Sequence, residues 1–215
     1  MRLLLFLFRL FFHLLYHEFA WTYDLVAATV SLGRWKGWVL SALPHLEARV
    51  LEIGYGPGHL QLAMQQNGLP AFGLDESRQM SRQARRRLRR KDFPANLTRG
   101  YAQNLPFPDK AFESVVATFP TEYIFETQAL SEIRRVLVPG GRLVLLPSAW
   151  ITGSGFLDRL AAGLFRLTGQ AGAIEAILPG MEQHIRAGGF EVRYEMMELI
   201  GSRVLVIIAS RPAIA

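Results

Sequence analysis

The 215-residue sequence contains no cysteine. Structural disulfides, thiolate-bound zinc, iron–sulfur clusters and a cysteine nucleophile are therefore excluded, and the absence fits a reducing compartment. Internal repeats and low-complexity linkers are also missing. Half of the residues are hydrophobic and only a fifth are charged, which excludes a disordered composition. Acidic side chains are absent from residues 78–91, RQMSRQARRRLRRK, where eight residues are basic. The whole chain carries a net charge of +6, so everything outside that run sums to −2. The basic character is thus local. The length suits one domain able to bury a core without a covalent or metal staple.

The chain opens MRLLLFLFRLFFHLLYHEFA, with eleven Leu or Phe residues between Leu3 and Leu15. Arg2, Arg9, His13 and His17 interrupt it at steps of seven, four and four, which places them on one side of a helix. A signal peptide needs an unbroken apolar region and a small-residue cleavage site, and Arg9 and the sequence His17-Glu18-Phe19-Ala20-Trp21 supply neither. A membrane span would put Arg9 near the bilayer midplane, at a cost of about 2.5–3.5 kcal/mol. The Leu and Phe residues would return roughly 0.3–0.6 kcal/mol each, so spanning is marginal. An interfacial helix keeps the same apolar contacts and leaves the polar stripe among the headgroups. A helix packed over the domain's own apolar cleft is the remaining reading. His13 and His17 have the i, i+4 spacing of metal ligands, but there is no His-Glu-x-x-His order and no clear third ligand. They read as polar-stripe residues, and no metal is expected.

From residue 49 short apolar runs alternate with helical stretches. Residues 49–53, 71–75, 112–119 and 142–147 read as strands, and 58–67, 77–91 and 126–138 as helices. This alternation predicts a parallel sheet covered on both faces. Glu191–Leu199 and Arg203–Ser210 read as an antiparallel pair, because the link between them is too short for a crossover.

Ligands of such sheets sit at the carboxyl ends of the strands. There the first loop reads Glu52-Ile53-Gly54-Tyr55-Gly56-Pro57-Gly58-His59. Its three glycines allow close backbone approach, and the following helix start offers free N–H groups. A tight strand-to-helix turn would have the same appearance. Asp75 ends the next strand, where a carboxylate can accept both hydroxyl protons of a ribose; helix capping is its plainer use. A dinucleotide fingerprint would need a third glycine at His59, so G-x-G-x-G does not fit it.

At this point the chain resembles the class I S-adenosylmethionine-dependent methyltransferases, especially the quinone-biosynthesis-like, or type 11, group. Val50–Gly58 is similar to the family's cofactor loop, and Gly73-Leu74-Asp75-Glu76-Ser77 with Met80 to its ribose-binding loop. Gly100–Pro108 is similar to its adenine-side segment, and Leu130–Leu146 to its helix, Pro-Gly-Gly turn and fifth strand. The resemblance implies a Rossmann-like, doubly wound, mostly parallel α/β sheet of seven strands, with an antiparallel C-terminal hairpin strand. It also implies S-adenosylmethionine as cofactor and methyl transfer as the reaction. Position by position, it gives Glu52 and Gly54 to the methionine end and Gly56 and Gly58 to backbone approach. Asp75 takes the ribose, Met80 lies against the adenosine, and Ala102 offers its N–H to adenine. Phe119 and Pro120 lie beside the sulfonium and the acceptor. Tyr101 stands where the family commonly has an adenine-binding Asp, and Gln103 is the nearby side chain that could substitute. Glu113 replaces another common Asp.

The expected organisation is an N-terminal helix over 1–22 and a methyltransferase domain over 23–215. Within that domain lie a helical lid (23–48), the cofactor core (49–147), a helical insertion (148–189) and C-terminal strands (190–215). Trp21, Tyr23, Trp35 and Trp38 belong to the lid. A second amphipathic helix is expected over 156–167. Tyr16, His17, Tyr23, Glu122 and His184 could each serve as a base, and the sequence singles out none. The expected acceptor is a small or lipid-like molecule. The basic run is a solvated helix face or a contact to an anionic membrane; no recognition motif supports a nucleic-acid partner. The protein is expected in the cytoplasm, where an interfacial first helix would make it peripheral on the cytoplasmic face of the membrane, and the residues specify no oligomeric state. A non-catalytic cofactor-binding module and a nicotinamide-dependent oxidoreductase are the alternatives.

Overall fold

Seven strands form one sheet in the order β3-β2-β1-β4-β5-β7-β6. The strands are β1 Val50–Ile53, β2 Ala71–Asp75, β3 Leu97–Arg99, β4 Phe112–Thr118, β5 Leu137–Ile151, β6 Glu191–Leu199 and β7 Ser202–Ser210. The helices are α1 Trp35–Leu40, α2 His59–Gln66, α3 Arg78–Arg89, α4 Thr127–Val136 and α5 Gln170–Ala187. The computed structural model describes residues 31–153, 155 and 170–213. The helices expected over 1–22 and 156–167, together with His13, Tyr16, His17, Trp21 and Tyr23, lie outside the described residues.

The first five strands pair in parallel, while β7 runs antiparallel to both β5 and β6. Their alternation builds two apolar layers. Leu51, Ile53, Val115, Ala117, Leu143, Leu145, Leu205 and Ile207 meet Leu130 and Ile133 of α4 on one face. Val50, Val116, Val144, Leu146, Val204 and Val206 meet Trp38 of α1 and Leu60 and Met64 of α2 on the other. Burial on both faces is why these strands are mostly apolar, with Glu52 and Ser114 as buried polar exceptions. β6 closes the sheet with exposed, charged residues such as Glu191 and Glu195, a composition that discourages pairing with another chain.

Two strands depart from the expected boundaries. β3 has three residues with only Leu97 buried, so it leaves no periodic signal. β5 runs on both sides of 142–147. Its pairing with β4 shifts between Phe112 and Ser114, where the Pro-Gly-Gly segment intervenes. Its pairing with β7 shifts between Leu145 and Ser148, so Pro147, which has no N–H to donate, falls at an irregularity in the ladder. Among the described residues, no helix is long and apolar enough to cross a membrane.

Candidate active site

The chain order reverses between β1 and β4, and the crevice at the carboxyl ends of the strands opens at that reversal. Gly54, Gly56 and Gly58 follow β1 with φ of +73°, +49° and +82°, a left-handed run that side chains disfavour. The Gly54 N–H donates to the Leu74 carbonyl at 2.7 Å, knitting the turn to β2. Gly58 has a second constraint, because a Cβ there would stand 2.7 Å from the Ala84 Cβ. The third glycine thus lets the start of α2 pack against α3.

Asp75 is the brace between the two loops. Its Oδ2 accepts from the Gly56 N–H at 2.9 Å and its Oδ1 from the Ser77 N–H at 2.8 Å. The cap of α3 is the Ser77 hydroxyl, which accepts from the Met80 N–H at 3.3 Å. Asp75 is therefore not spent on capping, and a carboxylate has further acceptor positions to offer. Burial pushes its carboxyl above the usual range despite the two N–H donors. Glu52 lies fully inside, beneath the turn, with Gln61 Nε2 donating to its Oε2 at 2.9 Å and to the Phe72 carbonyl at 2.9 Å. Burial, and the nearby Asp75, raise the Glu52 carboxyl well above its ordinary value.

Tyr123 completes this group. It sits on a single 3₁₀ turn, Glu122–Phe125, just beyond β4. A Cβ placed on Gly54 would stand 2.9 Å from the Tyr123 hydroxyl. Burial strongly disfavours ionisation of its phenol, and the nearby acidic side chains act in the same direction.

The other named residues are placed as follows. Met80 is fully buried at the first turn of α3, and Ala102 is buried in the layer beneath α4. Tyr101 is 65% exposed. Gln103 donates to Glu126 Oε2 at 2.7 Å, so its amide is already engaged. Glu113 accepts from the Arg49 N–H at 2.9 Å, a link at the opposite ends of the strands. Phe119 follows β4 with φ +51°, a strained backbone for an aromatic residue. Its ring lies 4.5 Å from Trp35 and 6.2 Å from Trp38, forming an apolar wall. Glu122 and His184 come together, with Phe125, Glu126 and Met181, around a surface cleft of about 490 Å³. None of the residues lining that cleft belongs to the glycine loop.

Two observations fit an S-adenosylmethionine molecule here. Asp75 and Glu76 lie close enough to act electrostatically on the Tyr123 phenol, and acidic side chains at the crevice favour a cationic ligand. The glycines leave the loop backbone open to close approach, while Asp75 retains acceptor positions for hydroxyls. Among the described residues, no cluster of side chains could hold a metal ion.

A doubly wound sheet with a glycine turn braced to the acid of the second strand is a nucleotide-cofactor domain. Comparison with known proteins specifies which kind. A family model, the methyltransferase domain, matches residues 51–145. The demethylmenaquinone methyltransferase of Deinococcus radiodurans is 33% identical over 202 residues, covering 81% of this chain and 83% of that protein. The demethylmenaquinone methyltransferase of Thermus thermophilus is 30% identical over 209 residues, covering 85% and 94%. Among solved structures, an S-adenosylmethionine-dependent methyltransferase of Methanosarcina mazei shares the fold with a TM-score of 0.55 at 20% identity, over 78% of this chain and 94% of that one. The chain belongs to the class I S-adenosylmethionine-dependent methyltransferases, in their quinone-biosynthesis-like group. It is a transferase that uses S-adenosylmethionine.

The buried acid predicts a pH effect. A carboxyl raised on folding stabilises the fold fully below its unfolded value of about 4.5, and that contribution is lost as pH rises through the folded value. Glu52→Gln removes the titration. The ligand-free variant is expected to gain melting temperature relative to wild type, more at pH 8 than at pH 5, in parallel thermal melts. An unchanged pH dependence would show that Glu52 ionises in the fold as freely as in water.

Proposed function

We propose that this methyltransferase acts on a lipid-like acceptor of the demethylmenaquinone kind at a membrane surface. The observation that carries the cofactor half is the 2.9 Å bond from the Gly56 N–H to Asp75, which brings the glycine turn and the ribose acid to one crevice. Under this reading Asp75 holds the ribose, Glu52, Gly54, Gly56 and Gly58 shape the methionine end, and Tyr101 and Ala102 flank the adenine. Met80 supports the adenosine side from within the core, and Phe119 faces the acceptor.

The bound cofactor supplies a methyl group activated on a sulfonium. The chain's part is to align the acceptor with it and to exclude water. The Trp35, Trp38 and Phe119 wall at the end of β4 supports an apolar, ring-bearing acceptor. So do the names of the two relatives, whose likeness covers most of the chain. Within the expected lid, Trp35 of α1 flanks that side.

Membrane contact is supported by the apolar sequence over 1–22 and by the outer face of α3. Arg78, Arg82, Arg86, Arg89 and Arg90 are exposed there, with Lys91 following. Arg85 and Arg87 instead turn inward to the backbone carbonyls of Leu97 and Pro57. A one-sided basic face suits anionic lipid on the cytoplasmic side of a membrane.

The test uses the full chain, S-adenosylmethionine labelled on its methyl group, and vesicles carrying a reduced demethylmenaquinone, with and without anionic lipid. Label is expected in the extracted quinone, and the protein is expected to sediment with the anionic vesicles. Label confined to water-soluble acceptors, or to none, would overturn the lipid reading. Calorimetric preference for a nicotinamide dinucleotide would overturn the cofactor assignment.

A further inference from the structure

The residue of the crevice that no motif announces is Tyr123. Along the carboxyl edge of the sheet, Asp75 ends β2, the glycine turn follows β1, and the turn bearing Tyr123 follows β4. β1 lies between the other two strands. A ligand whose ribose is held at β2 and which crosses the glycine turn therefore extends toward β4. The Tyr123 hydroxyl stands on that line, within 2.9 Å of a Cβ built on Gly54. It is half-buried and makes no hydrogen bond to any described residue. Its hydroxyl keeps both a donor and an acceptor capacity for a ligand.

We propose that the Tyr123 hydroxyl orients the methionyl end of the cofactor by hydrogen bonding to its amino-acid group. Burial first, and then the acidic Asp75 and Glu76, keep the hydroxyl protonated. Those acidic neighbours favour the cofactor's ammonium as its partner, with the phenol oxygen accepting. A Cβ on Gly54 would push the hydroxyl from this position, in addition to the strain that a φ of +73° imposes on any side chain there. The proposal rests on the adenosyl reading of the crevice and adds to it the contact at the far end.

The test compares three ligands by calorimetry on the wild-type protein and Tyr123→Phe. S-Adenosylmethionine and S-adenosylhomocysteine carry the amino-acid group; 5′-methylthioadenosine keeps the adenosine and thioether but lacks it. Tyr123→Phe is expected to weaken the first two about five- to tenfold, the worth of one hydrogen bond, and to leave 5′-methylthioadenosine unchanged. Retained affinity for the truncated ligand also shows that the variant is folded. Equal weakening of all three ligands would mean a general structural role and would overturn the proposal. Unaltered binding of all three would overturn it as well while leaving the adenosyl reading intact. A wild-type protein that binds none of the three would remove the adenosyl reading itself, and this inference with it.

Discussion

Asp75→Ala is expected to weaken binding of S-adenosylmethionine and S-adenosylhomocysteine by at least tenfold. A charge-assisted hydrogen bond contributes about 1.5–3 kcal/mol, and about 1.4 kcal/mol is tenfold in affinity. Two effects act together in this variant. The ribose loses its acceptor, and the Gly56 and Ser77 N–H groups lose theirs, so the glycine turn is no longer braced. Asp75→Asn separates the two, because an amide oxygen can still accept from one of the N–H groups. It is expected to fall between wild type and Asp75→Ala in affinity. Its ligand-free stability at neutral pH should hold, since burial disfavours the carboxylate that it replaces. Calorimetry with a thermal melt on each variant checks both statements. Wild-type affinity in a folded Asp75→Ala protein would remove Asp75 from the site.

Trp38→Ala is expected to cost the fold about 3–5 kcal/mol, the usual range for emptying a large aromatic site. Trp38 is 2% exposed and packs on the sheet face covered by α1 and α2. Its indole N–H donates to the Ser202 hydroxyl at 2.9 Å, tying α1 to the first residue of β7. Its ring also supports Trp35 and Phe119, so the acceptor wall should loosen with it. Trp38→Phe keeps an aromatic filler and loses the hydrogen bond, so a smaller loss of about 1–2 kcal/mol is expected. Urea unfolding measures both. A loss below about 1 kcal/mol in Trp38→Ala would show that the site collapses around the gap or that α1 contributes little to the fold.

Much of the fold could be read from the residues because β1, β2, β4 and β7 are buried on both faces and stand out as mostly apolar runs. β3 could not, since three residues with one inward side chain carry no period. The full reach of β5 was hidden for a different reason. Pro147 reads as a stop, yet it lies where the ladder is irregular and no N–H is required of it. The same division holds in the crevice. Glycines and a strand-end acid are visible because their spacing is set by one local turn. Gln61 beneath Glu52 and Tyr123 above Gly54 come from other elements. Nothing in the one-dimensional order ties them to the loop, and only the packing of α2 and the turn after β4 brings them there. Gln103, expected as a substitute for the missing acid at Tyr101, is drawn away by Glu126, a partner that spacing alone does not suggest.

The reversal of strand order has a further bearing on how such a molecule can change. Most of the residues proposed to hold the donor half lie in one stretch, the β1 turn through the start of α3, with Tyr101, Ala102 and Tyr123 added from farther along. The wall proposed to face the acceptor is borrowed instead from Trp35 and Trp38 of α1 and from Phe119 just after β4. Substitutions in that borrowed wall can redirect the chemistry to a new recipient while the donor machinery stays intact. Descendants of one ancestral enzyme can thus diversify their targets by altering a few aromatic residues.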